Sequence, residues 1–137
     1  MTKKLIIATV ATTLYLILVN ALVFPLIFPD GLAEKFSNER QTQLFQYHLI
    51  ALVITSFMLS YLYSLFIKSE TPWKDGLKFG ALLGIFVSLP EHIHLYAMVD
   101  SSFIKQFIPV LWILITWGIA GVLVSLIYGK IKADESK

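Results

Sequence analysis

The sequence predicts an all-α fold, a bundle of four membrane-spanning helices, and three observations carry that prediction. Four apolar runs fill nearly all of the 137 residues, 57% of the chain is hydrophobic, and only 15% is charged. Soluble domains carry about 25% charged and about 45–50% apolar residues, so this chain departs from them in the direction of a bilayer protein. A soluble fold would need a larger core than so short a chain encloses. One domain is expected over residues 1–137, because the connections leave no room for a separate soluble module.

The expected helices cover about 5–28, 44–67, 75–98 and 103–128. Each has about 20 residues or more, enough at 1.5 Å per residue to cross a hydrocarbon core of about 30 Å. The first opens on Thr2-Lys3-Lys4, as a signal peptide does. Its apolar stretch is too long for a signal core of about 7–15 residues, and Val23-Phe24-Pro25 makes a poor cleavage site, so a retained helix is expected. Pro25 and Pro29 should end it. The connection that follows is polar, with Asp30, Glu34, Lys35, Glu39 and Arg40, and Leu32–Phe36 fits a short interfacial turn.

The second run leads into a connection holding Lys68, Glu70 and Lys74. Thr71-Pro72 then reads as a helix start, with Thr71 as the cap and Pro72 at the first helical position. Between the third and fourth runs lie only a few residues, so these two helices should form an antiparallel hairpin. Asp100 or Ser101 is the expected cap of the fourth.

Orientation follows from the basic residues. Lys3, Lys4, Lys68, Lys74, Lys78, Lys130, Lys132 and Lys137 fall on the side of the termini, against Lys35, Arg40 and Lys105 opposite. That bias places both termini in the cytoplasm. Trp73, Tyr47, Tyr96 and Tyr128 fall near the expected interfaces, where amphipathic rings are favoured.

Several chemistries are excluded. Without cysteine there are no disulfides, thiolate metal sites or iron–sulfur clusters. A net charge of +2 with no basic patch gives no case for nucleic-acid binding. Nucleophile elbows, His-Glu-x-x-His helices and phosphate-binding glycine loops are absent from the sequence.

Polar residues inside apolar runs are costly and so mark candidate sites. Near the end of the third run stands Pro90-Glu91-His92-Ile93-His94. At 100° per residue, Gly76, Gly80, Gly84, Val87, Glu91, His94 and Met98 lie close to one line along this helix, while His92 lies well away from it. The Gly80–Gly84 spacing is a GxxxG motif, which brings backbones together in lipid. Glu91 and His94 are therefore expected to point inward. Pro90 removes a donor to Phe86 and should kink the helix there. On the first helix Thr9, Thr13, Leu16 and Asn20 share a stripe; on the second Gln41, His48, Thr55 and Leu59 do so. The fourth has a small-residue face of Gly118, Gly121, Ser125 and Gly129, with Trp112 and Thr116 on its other side. That small face packs within the bundle or makes a homodimer or larger complex; both readings stay open.

Asn20, His48, Glu91 and His94 thus share one expected depth, near the outer end, and are the candidates for ligand binding or a proton relay. A buried carboxyl resists ionisation and a neutral imidazole accepts its proton, which suits a relay. The same His48, Glu91 and His94 offer ligands to a single divalent metal, and His48 with His94 offers the axial pair of a haem. A di-metal centre is not expected, since it needs a second Glu-x-x-His motif and further carboxylates. Against all of these stands a plain alternative with no cofactor. In it Glu91, His92 and His94 form a solvated helix end, and Asn20 and His48 are interhelical hydrogen-bond glue.

The stretch Gly76–Pro90, followed by the glycine-bearing last helix, resembles small bacterial four-span inner-membrane proteins of uncharacterised function. The resemblance covers about the C-terminal half and implies fold and an inner-membrane location, not activity. Small multidrug transporters are also short four-span proteins, but they carry a glutamate in the first helix where this chain has Asn20 and no acid. The expectation is a small integral membrane protein with the lipid bilayer as its surroundings. It would bind or gate a small ligand or ion, or serve as a membrane subunit, with a metal- or haem-dependent redox or enzymatic role as the alternative.

Overall fold

Apolar residues follow one another with no charge between Lys4 and Ile27, and that stretch is a single rod. It consists of α1 (Thr2–Leu18), a π-helical stretch (Val19–Val23) and α2 (Phe24–Ile27). The computed structural model describes residues 2–27, 45–66, 71–98 and 102–134, all helical except Thr71 and Ser102. The remaining helices are α3 (Phe45–Phe66), α4 (Pro72–Met98) and α5 (Phe103–Asp134). The expected turn at Leu32–Phe36, the face position Gln41 and the caps Asp100 and Ser101 lie outside the described residues. Four stretches are long and apolar enough to cross a membrane: Lys3–Ile27, Gln46–Leu65, Pro72–Met98 and Phe107–Gly129.

Proline chemistry explains the π-helical stretch. Pro25 has no N–H, and its ring crowds the carbonyl four residues back. The backbone widens just before it, with the Phe24 N–H donating to the Val19 carbonyl five residues back. The rod then continues past Pro25 to Ile27. Pro90 and Pro109 are likewise carried inside continuous helices. At the start of α4, the Thr71 carbonyl accepts from the N–H groups of Lys74 (3.1 Å) and Asp75 (3.2 Å). The Thr71 hydroxyl donates to Asp75 Oδ2 at 3.3 Å, and Asp75 suits the positive end of the helix dipole.

α5 is the hub. It packs along nearly the whole of α4, and on its other side against α1 and α3, which pack on each other. The ring of Phe79 on Tyr63 (centroids 5.4 Å apart) ties α4 to α3 at one level. The core runs through Ala8, Leu59, Tyr63, Ala120 and Val124, with Tyr15, Leu83, Trp117 and Ile127 packed around it. Ala8 and Val124 share this cluster, and Gly129 faces Pro72.

The α4–α5 contact is made of backbone. A Cβ on Gly80 would run into the Trp117 carbonyl oxygen, and one on Gly121 into the Gly76 carbonyl oxygen. A Cβ on Gly76 would lie 2.5 Å from the Gly121 carbonyl oxygen. Only hydrogen fits at these positions, so the two helices approach until main chain meets main chain. The small face of α5, one of whose readings was a homodimer, is the seat of α4. Away from these seams, large apolar side chains stay exposed, among them Leu26 (82%), Phe86 (76%) and Leu82 (66%). In water so much exposed apolar surface would aggregate; a hydrocarbon solvent removes the need to bury it.

Gly80→Ala and Gly121→Ala should each destabilise the protein by about 1–3 kcal/mol, the usual cost of overpacking. Gly129→Ala, whose Cβ would sit 3.4 Å from Pro72 Cγ, should stay within about 1 kcal/mol of the parent, the scale of a helix-propensity change. Thermal or denaturant melting in detergent, followed by circular dichroism, separates the two classes.

Candidate functional site

The packed stripe of α4 is a single i, i+4 row. Gly76, Gly80, Gly84 and Ser88 are its buried residues. One more step along the row reaches His92, which is partly buried. The Ser88 hydroxyl donates to the Gly84 carbonyl at 2.6 Å, and His92 Nδ1 lies 2.8 Å from the Ser88 carbonyl, donating when that nitrogen carries the proton.

This corrects the expected line through Val87, Glu91, His94 and Met98, all of which are exposed. The physical reason lies in the packing mode. A contact parallel to the helix axis would alternate steps of three and four. A glycine-lined contact follows the i, i+4 ridge, which winds around the helix as it climbs. Four such steps from Gly76 turn the contact toward His92 and leave Glu91 and His94 outside. His92, expected to face away, is the member of the trio nearest the seam.

Depth follows from the hairpin register. Gly76 meets Gly121 and Ser125, Gly80 meets Trp117, and Gly84 meets Ile113 and Leu114. Continuing that pairing, Glu91 falls level with about Phe107, where the apolar span of α5 begins. Glu91 and His94 therefore stand at the boundary of that span, on the surface.

The other candidates do not join them. His48 is exposed near the start of α3. Asn20 lies within the π-helical stretch, and its Nδ2 donates to the Leu16 carbonyl of its own helix at 2.8 Å. α3 and α4 do not pair along their lengths, so His48 and His94 do not face each other as an axial pair would. Among the described residues no three His, Asp or Glu side chains group closely enough to hold a metal ion. The trio His48, Glu91 and His94 therefore does not assemble as a ligand set.

A different polar group is enclosed. Thr12, Ser56 and Ser60 are completely buried. On α1 the inward line is Ala8, Thr12 and Leu16, with Thr9 and Thr13 flanking it; on α3 it is Ser56, Leu59, Ser60 and Tyr63. The available signal was the Ser56–Ser60 and Ala8–Thr12 spacing, two small residues one turn apart on each helix. No family model matches the chain, and no curated protein or solved structure matches it either.

Because Glu91, His94 and His48 touch solvent rather than a packed seam, Glu91→Gln, His94→Ala and His48→Ala should each shift stability by less than about 0.5 kcal/mol. Ser88→Leu, which forces bulk into the α4–α5 seam, should cost about 1–3 kcal/mol. Melting of the four variants side by side in one detergent checks the ranking.

Proposed function

We propose that the protein is a small integral membrane protein of a bacterial-type cytoplasmic membrane, with both termini in the cytoplasm, acting as a membrane-embedded subunit. The membrane reading rests on four long apolar helices and on the apolar side chains they leave exposed. The orientation rests on the eight-to-three distribution of lysine and arginine between the two ends, taken residue by residue from the sequence.

The subunit role is carried by one observation: the ionisable side chains of the far end, Glu91 and His94, are presented on the surface of α4. A binding pocket or proton relay would have them converge around an enclosed volume. A helix held along one face, with a carboxylate and an imidazole displayed at the boundary of the apolar span, instead suits contact with a neighbouring protein. Within its most apolar stretch α4 buries a smaller share than the other three candidate spans do within theirs, which leaves side for such a neighbour.

Because the chain has no cysteine, single cysteines report sidedness directly. With Ser102→Cys, a membrane-impermeant maleimide should label intact cells. With Lys74→Cys it should label only after permeabilisation, and the reverse pattern would overturn the orientation. For the subunit role, protein extracted with its surrounding lipid into polymer-bounded discs should run in an assembly larger than one 15.5 kDa chain. The double change Glu91→Gln with His94→Ala should release it. A single chain in the parent discs would sink the proposal.

A further inference from the structure

The buried hydroxyls of this molecule fall into two groups. Ser88 donates to Gly84, Thr116 to Trp112 at 2.9 Å and Ser125 to Val122 at 2.8 Å, each the carbonyl of the preceding turn of its own helix. That is the ordinary way a helix silences a hydroxyl away from water. All three lie on α4 or α5. The hydroxyl oxygens of Thr9, Thr12, Thr13, Ser56 and Ser60 behave otherwise: each is buried, and none has a hydrogen-bond partner among the described residues. The Tyr128 hydroxyl on α5 is the one further such oxygen among the described residues; these five lie on α1 and α3, the two helices that pack against each other.

Register brings them together. Ala8 packs in one cluster with Leu59 and Tyr63. Thr9, Thr12 and Thr13 follow Ala8 within about a turn on α1, and Ser56 and Ser60 stand within a turn of Leu59 on α3, so all five flank the level where the two helices meet. Ser56 is central in the Gln46–Leu65 span, and Thr12 lies within a turn of the middle of Lys3–Ile27. The cluster thus sits as far from either aqueous side as this fold allows.

We infer that the α1–α3 seam is a binding site for a neutral hydrogen-bonding ligand, namely ordered water. A buried hydroxyl without a partner is strongly unfavourable, and five of them on one seam demand an occupant that both donates and accepts. One water makes about three hydrogen bonds to such groups, so about two molecules satisfy the five hydroxyls. A cation is disfavoured by charge. Between Lys4 and Ile27, and throughout Gln46–Leu65, the sequence has no carboxylate to balance it. The seam is thereby a hydrated polar line inside the bundle, separate from the Glu91–His94 surface.

The test is water-edited NMR on protein carrying ¹³C-labelled threonine, serine, alanine and leucine in lipid nanodiscs. Magnetisation from water should reach Thr12, Ser56 and Ser60 faster, by about two-fold or more, than it reaches the buried Ala120 and Leu59. Equal transfer to all of them would overturn the site. Thr12→Val removes the central hydroxyl at nearly constant volume and should cut transfer to Ser56 by at least about half, while Thr12→Ser preserves it. Unchanged transfer in Thr12→Val would also overturn the site; should that variant fail to fold, Ser60→Ala carries the same comparison. A sodium titration that moves the Thr12 and Ser56 signals would replace water with a cation and defeat the inference.

Discussion

Everything in this molecule is arranged around the approach of two main chains. Gly76 and Gly80 on α4 lie against Gly121 and the Trp117 carbonyl on α5, so close that a methyl group has no place. In a hydrocarbon solvent, apolar side chains gain little by leaving lipid for one another. Association then depends on dispersion between closely fitted surfaces and on short polar contacts. Glycine maximises both, because it lets a backbone act as the packing surface. The hairpin of α4 and α5 is in this sense the close-packed half of the protein.

The other half is built differently. The buried residues of α1 are Ala8, Thr12 and Leu16, and those of α3 are Ser56, Leu59, Ser60 and Tyr63, a mixture of hydroxylic and larger apolar residues with no glycine. α5 reconciles the halves by carrying two faces. Gly118, Gly121 and Ser125 receive α4, while Trp112, in edge-on contact with Phe24 at 5.7 Å, turns toward the first rod.

The position of the ionisable residues follows from the same constraint. An i, i+4 glycine row that winds around α4 carries the buried line from Ser88 to His92 and sets Glu91 and His94 outside it. Polarity at that end is thus displayed, whereas the polarity of the α1–α3 seam is enclosed. A function that acts on a neighbour belongs to the first, and one that depends on internal hydration belongs to the second.

The four helices and the antiparallel hairpin were legible from the residues, because apolar run length and the shortness of a connection are local properties of a chain. The small-residue positions Gly76, Gly80, Gly84, Gly118, Gly121 and Ser125 could be picked out in the same way, since glycine spacing is itself a local pattern. What a straight reading of α4 could not supply was the direction of its contact. Steps of three and steps of four both return to nearly the same face of a helix, and only the crossing of the partner selects between them. Asn20, His48, Glu91 and His94 share a depth in the sequence, yet azimuth decides whether residues at one depth meet, and azimuth belongs to the packed neighbours. For the same reason the partner of the α5 small face, and the unpartnered hydroxyls of Thr12, Ser56 and Ser60, emerged from tertiary structure: a hydroxyl's satisfaction depends on what the opposite helix brings to it.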